Sequence, residues 1–326
     1  MTSTILRPFG PTKLQLSPLG LGCWQFSNGK GLIGKFWPVL QGSIINDIVK
    51  TSYEGGINWF DTAEIYGNGQ SEQLLARALR ETLPADAPVY IATKWWPLFR
   101  TASSIGSTIN ERSRLLEGRT IDLHQVHQPF SLSSVSSEMK EMAKLAAAGK
   151  IQHVGVSNFS AKQMREADRV LREHGLRLAS NQVKYSLLDR RIEQNGILET
   201  AKELGCAIIA FSPLEQGILS GKFHYDPSLI KAISGPRKWS PPFQARSMNR
   251  SRPLIDLLEQ IAVSYDATVT QVALNWLIHA HGETVFAIPG ASKIHHAEQN
   301  VKAMRFRLTA DELSEINEVS RFAVSR

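Results

Sequence analysis

Short runs of β-forming residues alternate with amphipathic helical segments along most of this 326-residue chain. Eight such runs occur, at residues 19–24, 58–63, 89–94, 122–127, 153–158, 180–185, 207–213 and 284–289. Helical segments are predicted between them, among them residues 71–81, 133–148, 161–173 and 195–204. Alternating strands and helices form parallel sheets with right-handed crossovers. Eight repeats in a chain of this length favour an α/β fold, a (β/α)8 TIM barrel, as a single domain over residues 1–326.

An open, doubly wound sheet is the main alternative to the closed barrel. The dinucleotide-binding version of that fold carries Gly-x-Gly-x-x-Gly directly after its first strand. No such sequence follows residues 19–24, so the pattern favours the barrel.

Helix-end signals support the predicted boundaries. Ser133 and Ser160 occupy N-cap positions, with Ser136 and Gln163 at the capping-box offset, where only glutamine is a good partner. The glycines that follow helical segments, as C′ residues do, are Gly149, Gly175 and Gly205.

Three segments lie outside the alternation. Residues 1–18 are predicted to form a β-hairpin, with strands at 5–9 and 13–16, that plugs one end of the barrel. Residues 25–42 and 214–251 are long connections, and long loops in compact domains are usually functional lids or disordered segments. We predict that the second of them is a cofactor or substrate loop.

Charge and cysteine content exclude several classes of protein. The net charge of +7 is spread along the chain without a block of five like charges, which argues against a nucleic-acid partner. Cys23 and Cys206 are far apart, which argues against a disulfide framework or a zinc site. No apolar run approaches the ~20 residues of a membrane span, and no signal peptide is visible. We expect a cytoplasmic monomer or weak oligomer, or an organelle-stroma protein if a transit peptide was removed.

Charged and polar side chains end three successive predicted strands. Asp61, Lys94 and His127 lie at these ends, and Tyr66 follows the first of them after a short loop. Each alone has a structural explanation, such as a turn cap, a solvated charge or a packed histidine. Together they fall where the active sites of such barrels lie. His124 has the opposite strand parity, so it is predicted to pack against the outer helices.

The same four side chains suit carbonyl reduction. A tyrosine has an ordinary pKa of about 10, and a nearby cation favours its ionised form. Lys94 is therefore predicted to depress the pKa of Tyr66, while Asp61 holds Lys94 in place. Such a phenol can protonate a developing alkoxide, and His127 would orient the carbonyl oxygen.

Further polar residues cluster on later strands. Ser157, Asn158 and Gln182 offer the donors and acceptors that a carboxamide needs, although helix capping is an alternative for the first two. Phe211 offers an aromatic face or plain core packing. In the loop 214–251, Lys222 and Arg237 are candidate phosphate clamps or solvated surface charges.

A phosphate site is predicted at the start of the last helical segment. Helix starts expose backbone N–H groups to anions, and Ser292 and Lys293 add a hydroxyl and a charge. His296 falls on the face of Lys293.

These runs resemble the aldo-keto reductase family over nearly the whole chain, from residues 19–22 to residues 299–300. The order and context of Asp61, Tyr66, Lys94 and His127 match its catalytic residues, and 155–159, 211–214 and 288–293 match its cofactor segments. The resemblance implies a nicotinamide cofactor bound by Gly22, Ser157, Asn158, Gln182, Phe211, Ser212 and the backbone of Leu214. It also implies that Gln299 and Asn300 would reach the adenine edge. No acidic residue occurs in 290–297 to receive a free 2′-hydroxyl, so we expect NADPH to be preferred over NADH. Residues 235–237, and Lys293 with His296, are similar to the plant pyridoxal reductase branch.

Two positions depart from the family pattern. Glu215 stands where the family usually has glycine, and its carboxylate would repel a pyrophosphate unless it points outward or pairs with a cation. The second departure lies at residues 128–130, which are predicted to make the pocket beside His127 apolar. Aromatic residues predicted to line it, some of which would be plain core, are Trp24, Trp37, Trp95, Trp96 and Phe130.

The sequence thus predicts NADPH-dependent reduction of aldehydes or ketones, without a metal, and pyridoxal is the first physiological candidate. Two alternatives stay open. One is a Schiff-base aldolase with Lys94 as nucleophile. The other is a nicotinamide-binding regulatory subunit with little turnover, as in the channel-associated branch that the chain also resembles.

Overall fold

A closed parallel sheet lies at the centre of the computed structural model, which describes residues 6–34, 36–233 and 243–323. Its described strands are β3 (Leu21–Gly22), β4 (Trp59–Asp61), β5 (Tyr90–Trp95), β6 (Leu123–Val126), β7 (His153–Ser157), β8 (Leu178–Lys184), β9 (Ala207–Phe211) and β10 (Val285–Ala287), after the hairpin strands β1 (Arg7–Pro8) and β2 (Gln15–Leu16). The parallel strands pair in sequence order. Bridges from Leu19 to Ala287 and from Gly22 to Gly290 join the last strand to the first. The predicted (β/α)8 barrel is confirmed.

Helices surround the barrel. The described helices are α1 (Gly31–Gly34), α2 (Gly42–Glu54), α3 (Gln70–Thr82), α4 (Ser103–Leu115), α5 (Val135–Ala147), α6 (Ala161–Arg172), α7 (Ile197–Leu204), α8 (Lys222–Tyr225), α9 (Ala245–Ser264), α10 (Val269–His279), α11 (Ile294–Lys302) and α12 (Ala310–Ala323). Within the described ranges, no helix is both long and apolar enough to cross a lipid bilayer.

The strand wall separates two apolar layers, and this separation decides which side chains reach the barrel interior. In β5, Ile91 and Trp95 belong to the large layer between strands and helices, whereas Ala92 belongs to the inner layer. Because successive residues of a strand face opposite sides, Lys94 shares the inward direction of Ala92. In β6 the same alternation turns His124 outward, as predicted, where it is buried.

The N-terminal hairpin closes the end of the barrel opposite the C-terminal strand ends. Phe9, between β1 and β2, is fully buried in the inner layer. Its ring centroid lies 5.1 Å from that of Phe286 and 6.2 Å from that of Trp59. The predicted plug is confirmed for the described part, residues 6–18, with strands shorter than expected.

The helix-end predictions are confirmed at one N-cap and wrong at the other. Ser160 and Gln163 form a reciprocal capping box at the start of α6. The helix α5 is capped by Ser134 rather than Ser133, because the Ser133 hydroxyl instead accepts a 2.9 Å hydrogen bond from the backbone N–H of Ala102. The predicted C′ glycines have left-handed φ values of 66°, 71° and 66°, at Gly149, Gly175 and Gly205.

The two long connections contain more helix than the sequence predicted. The first holds a 3₁₀ turn at Trp24–Ser27 and the short helix α1. The second holds 3₁₀ turns at Glu215–Ser220 and Pro227–Ile230, the helix α8 and the start of α9. It also has its own small apolar cluster, formed by Ile218, Phe223, Phe243 and Met248. Arg237 and its neighbours at 235–236 lie outside the described residues.

Candidate active site

A cavity of 820 Å³ opens at the C-terminal ends of the barrel strands. The predicted site residues that line it are Gly22, Trp24, Trp37, Asp61, Tyr66, Trp96, His127, Ser157, Asn158, Gln182, Phe211, Ser212, Leu214, Lys222, Ser292, Lys293, His296, Gln299 and Asn300. Strands, loops and helix α11 thus bring together side chains that lie up to 278 positions apart in the sequence, from Gly22 to Asn300 (300 − 22).

A buried ion pair forms the floor of the cavity. Lys94 is 0% exposed and Asp61 is 1% exposed, and Lys94 Nζ donates to Asp61 Oδ1 at 2.5 Å. Lys94 also donates to the backbone oxygen of Thr62 at 2.9 Å. The second Asp61 oxygen accepts from the amide groups of Gln182 at 2.9 Å and Gln125 at 3.2 Å. The Asp61 carboxylate is therefore bonded at both oxygens, so it is fixed in position.

Two amide side chains hold Asp61. Gln182 was predicted to face a carboxamide ligand; it lines the cavity, and its Nε2 donates to Asp61. Gln125 was not among the predicted site residues, and its bond to Asp61 was missed. The signal for it was available, because Gln125 pairs in register with Lys94 on the neighbouring strand.

Lys94 is a charged group despite its burial. Burial acts to lower the pKa of Lys94, but Asp61 and Tyr66 outweigh that effect and raise the pKa above its ordinary value. Lys94 Nζ lies 5.0 Å from the centre of the Tyr66 ring. An ammonium group therefore stands directly beside the phenol.

Tyr66 differs from the sequence prediction in its net pKa. Burial raises the pKa of Tyr66 above its ordinary value, and the opposing pull of Lys94 is smaller. The phenol is thus protonated at neutral pH in the ligand-free cavity. Lys94 favours the ionised form relative to a site without the cation, but it does not bring the pKa below the usual value.

His127 completes this end of the cavity as a neutral ring. Burial and the charge of Lys94 lower the pKa of His127 well below its ordinary value. Its ring packs edge-on against Tyr66, with centroids 5.7 Å apart, and against Trp96 at 5.2 Å. Its Nδ1 atom is buried and has no hydrogen-bond partner among the described residues.

Aromatic rings form the wall beside Tyr66. Trp24 stacks between Tyr66 and Phe36, at centroid distances of 6.0 and 5.3 Å, and meets the Trp37 ring edge-on at 5.8 Å. The Trp24 indole N–H is buried without a partner in the described part of the chain. This wall is largely apolar, and the Trp24 indole N–H is a donor that it can offer to a ligand.

Two of the predicted pocket aromatics lie elsewhere. Trp95 is fully buried in the layer between strands and helices, and its indole donates to Ser104 Oγ at 3.0 Å, so its assignment to the pocket is wrong. The reason is parity, since Trp95 follows the inward-facing Lys94. Phe130 is 45% exposed and packs edge-on against Trp96 outside the cavity wall.

A polar group lies across the cavity from the aromatic wall. The Ser157 hydroxyl donates to the backbone oxygen of Gln182 at 2.9 Å, and Asn158 Nδ2 donates to Ser157 Oγ at 3.1 Å. Asn158 has a left-handed φ of 61°, which takes the chain sharply away from β7. Packing favours glycine at position 22, because a Cβ there would lie 2.7 Å from the backbone oxygen of Ile288.

The far end of the cavity is cationic. Lys293 is the N-cap residue of α11. The His296 Nδ1 atom lies 3.4 Å from both the backbone nitrogen and the hydroxyl of Ser292. Burial, His295, Lys222 and Lys293 lower the pKa of His296 to about 4. The neighbours that depress it make this end attractive to an anion.

Glu215 is turned away from the cavity. It is 3% exposed, and its Oε1 atom accepts a hydrogen bond from Lys184 at the end of β8. Burial raises the pKa of Glu215, and Lys184 opposes this rise. Of the two arrangements considered for this carboxylate, pairing with a cation is therefore the observed one.

Fold and cavity together describe a (β/α)8 barrel with its ligand site at the carboxyl ends of the strands. The model of the Aldo/keto reductase family matches residues 18–321, and the chain belongs to this family. Family members are oxidoreductases that act on carbonyl groups with nicotinamide cofactors. The predicted family is confirmed.

Individual relatives agree with this membership. An "uncharacterized oxidoreductase" of Mycobacterium tuberculosis is 36% identical over 307 residues, covering 94% of this chain and 90% of that protein. The chloroplastic pyridoxal reductase of Arabidopsis thaliana is 30% identical over 311 residues, covering 92% and 82%. The solved glycerol dehydrogenase of Gluconobacter oxydans superposes with a TM-score of 0.83 at 27% identity, covering 100% of this chain and 98% of that one.

Proposed function

We propose that the protein reduces aldehydes with NADPH and that Tyr66 donates the proton to the carbonyl oxygen. The observation that carries this proposal is the meeting of Asp61, Tyr66, Lys94 and His127 at one end of a cavity whose other end is cationic. The test is NADPH oxidation with a panel of aldehydes. Turnover supports a reductase, whereas tight cofactor binding without turnover would favour the regulatory-subunit alternative.

Each of the four residues has one task in this mechanism. When bound, NADPH would supply the hydride that adds to the carbonyl carbon. Tyr66 holds its proton until the carbonyl oxygen gains negative charge, and the nearby ammonium of Lys94 stabilises the phenolate that is left. Asp61 keeps Lys94 charged and in place. The neutral ring of His127 has one N–H to donate, and we assign it to the carbonyl oxygen.

The cavity fits a dinucleotide in volume and in unpaired polar atoms. Its 820 Å³ lies within the roughly 300–1,000 Å³ of small-molecule sites. Among the described residues, buried atoms without a hydrogen-bond partner include Trp24 Nε1 and His127 Nδ1 near Tyr66, and Asn300 Nδ2 at the cationic end. Buried polar atoms of native proteins usually have partners, so a ligand that reaches both ends accounts for them. We assign Ser157, Asn158 and Phe211 to the nicotinamide and Leu214 to the pyrophosphate.

Lys293→Ala is expected to weaken NADPH binding by about 10–100-fold and to leave NADH binding nearly unchanged. A charge-assisted hydrogen bond to the 2′-phosphate contributes roughly 1.5–3 kcal/mol, and NADH has no such phosphate. Fluorescence titration of both cofactors measures the effect. Lys302→Ala, an exposed change on the same helix, is the control. Equal losses for the two cofactors would contradict the assignment.

The Schiff-base alternative is disfavoured by the state of Lys94. A nucleophilic lysine must be neutral, but the pKa of Lys94 is raised, because Asp61 and Tyr66 together outweigh burial. Borohydride trapping with an aldehyde substrate tests this directly. We expect no covalent adduct at Lys94.

We propose aromatic aldehydes as the substrate class and pyridoxal as the first physiological candidate. The stacked rings of Trp24, Tyr66 and Phe36 support this class, and so does the 30% identity to a pyridoxal reductase. The informative panel contains pyridoxal, benzaldehyde, cyclohexanecarboxaldehyde and glyceraldehyde. A preference for glyceraldehyde would instead align the protein with the glycerol dehydrogenase.

A further inference from the structure

An ion pair behind the cavity ties one of its loops to the barrel wall. The loop after β9 lines the cavity with Leu214, Gln216 and Gly217, but Glu215 between them points the other way. Its Oε1 atom bonds Lys184, and its Oε2 atom is buried with no hydrogen-bond partner in the described part of the chain. Lys184 therefore provides the charge that balances this carboxylate.

A second ion pair extends the contact away from the cavity. Lys184 Nζ lies 3.6 Å from Asp189 Oδ2. The Arg191 guanidinium donates to both carboxylate oxygens of Asp189, from Nε to Oδ1 at 2.8 Å and from Nη2 to Oδ2 at 2.7 Å. The charged groups facing Glu215 are thus Lys184, Asp189 and Arg191. Through them the cavity loop is joined to the segment that follows β8.

The backbone of this loop has a conformation that non-glycine residues adopt at a cost. Glu215 and Gln216 have left-handed φ values of 46° and 56°, and Ser212 has 51°. Side chains with a Cβ rarely take this region unless the surrounding structure holds them there. Two backbone hydrogen bonds close the turn, from Glu215 N to Ser212 O and from Gly217 N to Leu214 O, both at 2.9 Å. The ion pair adds a side-chain anchor to this turn.

We propose that Glu215 and Lys184 form a positioning pair that holds the turn at 212–217 ready for the cofactor's diphosphate and cancels a negative charge beside it. This inference rests on the proposed function, because it needs the cofactor in this cavity. The pair acts through the loop and touches neither substrate nor cofactor. A loop already in its bound shape loses less freedom on binding, which raises affinity.

Removing Lys184 alone should be more damaging than removing both charges. In Lys184→Met the buried Glu215 carboxylate loses its cation while it stays next to the diphosphate site. An unpaired buried charge is strongly unfavourable, and a like charge also repels the ligand. We expect the dissociation constant of NADPH to rise about tenfold, which corresponds to a loss of ~1.4 kcal/mol of binding free energy. In Lys184→Met/Glu215→Gln the repulsion is gone, and most of the affinity should return.

A pH profile separates this role from a merely structural one. Without Lys184, the pKa of Glu215 rises further, because burial is no longer opposed by the lysine. Lower pH then protonates Glu215 and removes its charge. The ratio of variant to parent dissociation constants should therefore fall towards one as the pH is lowered. Taking the ratio cancels titration of the phosphate and of His296, which both proteins share.

The experiment is calorimetric titration of parent, Lys184→Met, Glu215→Gln and the double variant with NADPH and with adenosine 2′,5′-bisphosphate. The second ligand carries a single 5′-phosphate in place of the diphosphate, so its affinity should fall by less than that of NADPH in every variant. Lys231→Met, an exposed lysine change in the same long connection, should match the parent.

The possible results are distinct. A parent that binds neither ligand overturns the proposed function and this inference with it. A parent that binds NADPH, with a Lys184→Met affinity that is unchanged, overturns the positioning pair alone. So does an equal loss for adenosine 2′,5′-bisphosphate, a loss independent of pH, or a double variant as weak as Lys184→Met. The expected result is a loss that is larger for NADPH than for adenosine 2′,5′-bisphosphate and that is relieved by acid and by Glu215→Gln.

Discussion

Tyr66→Phe is expected to lower the rate of aldehyde reduction by about 100-fold or more, since general acid catalysis contributes roughly 10²–10⁴-fold. The change removes the hydroxyl and keeps the ring that packs against Trp24 and His127. Cofactor affinity should therefore be close to that of the parent. Steady-state rates with an aromatic aldehyde and a separate NADPH titration measure the two effects.

A matched control distinguishes the proton donor from a general effect of losing a tyrosine hydroxyl. Tyr90 packs against the apolar layer inside the barrel, next to the hairpin plug rather than the cavity. Tyr90→Phe should leave the rate of reduction nearly unchanged. If Tyr66→Phe were as active as this control, Tyr66 would not be the acid, and another donor at the cavity would have to be sought.

Strand parity explains how much of the site could be predicted from the sequence. In a parallel barrel the strand ends meet at one face, so the sequence alone predicts that Asp61, Lys94 and His127 meet. The same rule predicts that His124 faces outward, towards the helices. Applied consistently, it would also have excluded Trp95, which follows the inward-facing Lys94 and lies in the outer layer. Trp95 was assigned to the pocket because it is aromatic, without regard to the strand face on which its side chain lies.

The pKa of Tyr66 could not be predicted from neighbours in the sequence. The charge of Lys94 was evident, and so was the direction of its effect. The competing effect is the desolvation of the half-buried phenol, which depends on Trp24, His127 and other side chains brought from distant segments. Burial outweighs the cation in the structure, and the net pKa of Tyr66 is raised.

Long-range contacts between single side chains could not be predicted from the sequence either. Glu215 stood out as a carboxylate near an expected pyrophosphate, but nothing in the sequence indicated Lys184, which lies 31 positions away, as its partner. The N-cap at Ser134 was missed for a similar reason, since Ser133 is drawn to the backbone of Ala102 across a loop. Periodicity identifies elements and faces, whereas such pairings depend on how loops pack.

Lys94→Met is expected to abolish reduction and to destabilise the fold by about 3–5 kcal/mol, the usual effect of breaking a buried ion pair. Asp61 would be left 1% exposed and charged, with only the amide donors of Gln125 and Gln182. The exposed pair of Lys144 and Glu141 provides the matched control. Lys144→Met should change the free energy of unfolding by less than about 0.5 kcal/mol.

Stability and catalysis at Lys94 can be separated with a second substitution. Asp61→Asn combined with Lys94→Met removes both charges, so no unpaired buried carboxylate remains, and much of the lost stability should return in chemical denaturation. Activity should not return, because no ammonium is left to stabilise the Tyr66 phenolate, and the pH dependence of any residual rate should shift. Recovery of reduction along with stability would mean that Lys94 only supports the fold. Stability without activity is the result that the geometry around Tyr66 requires, because Lys94 Nζ is the cation beside its ring.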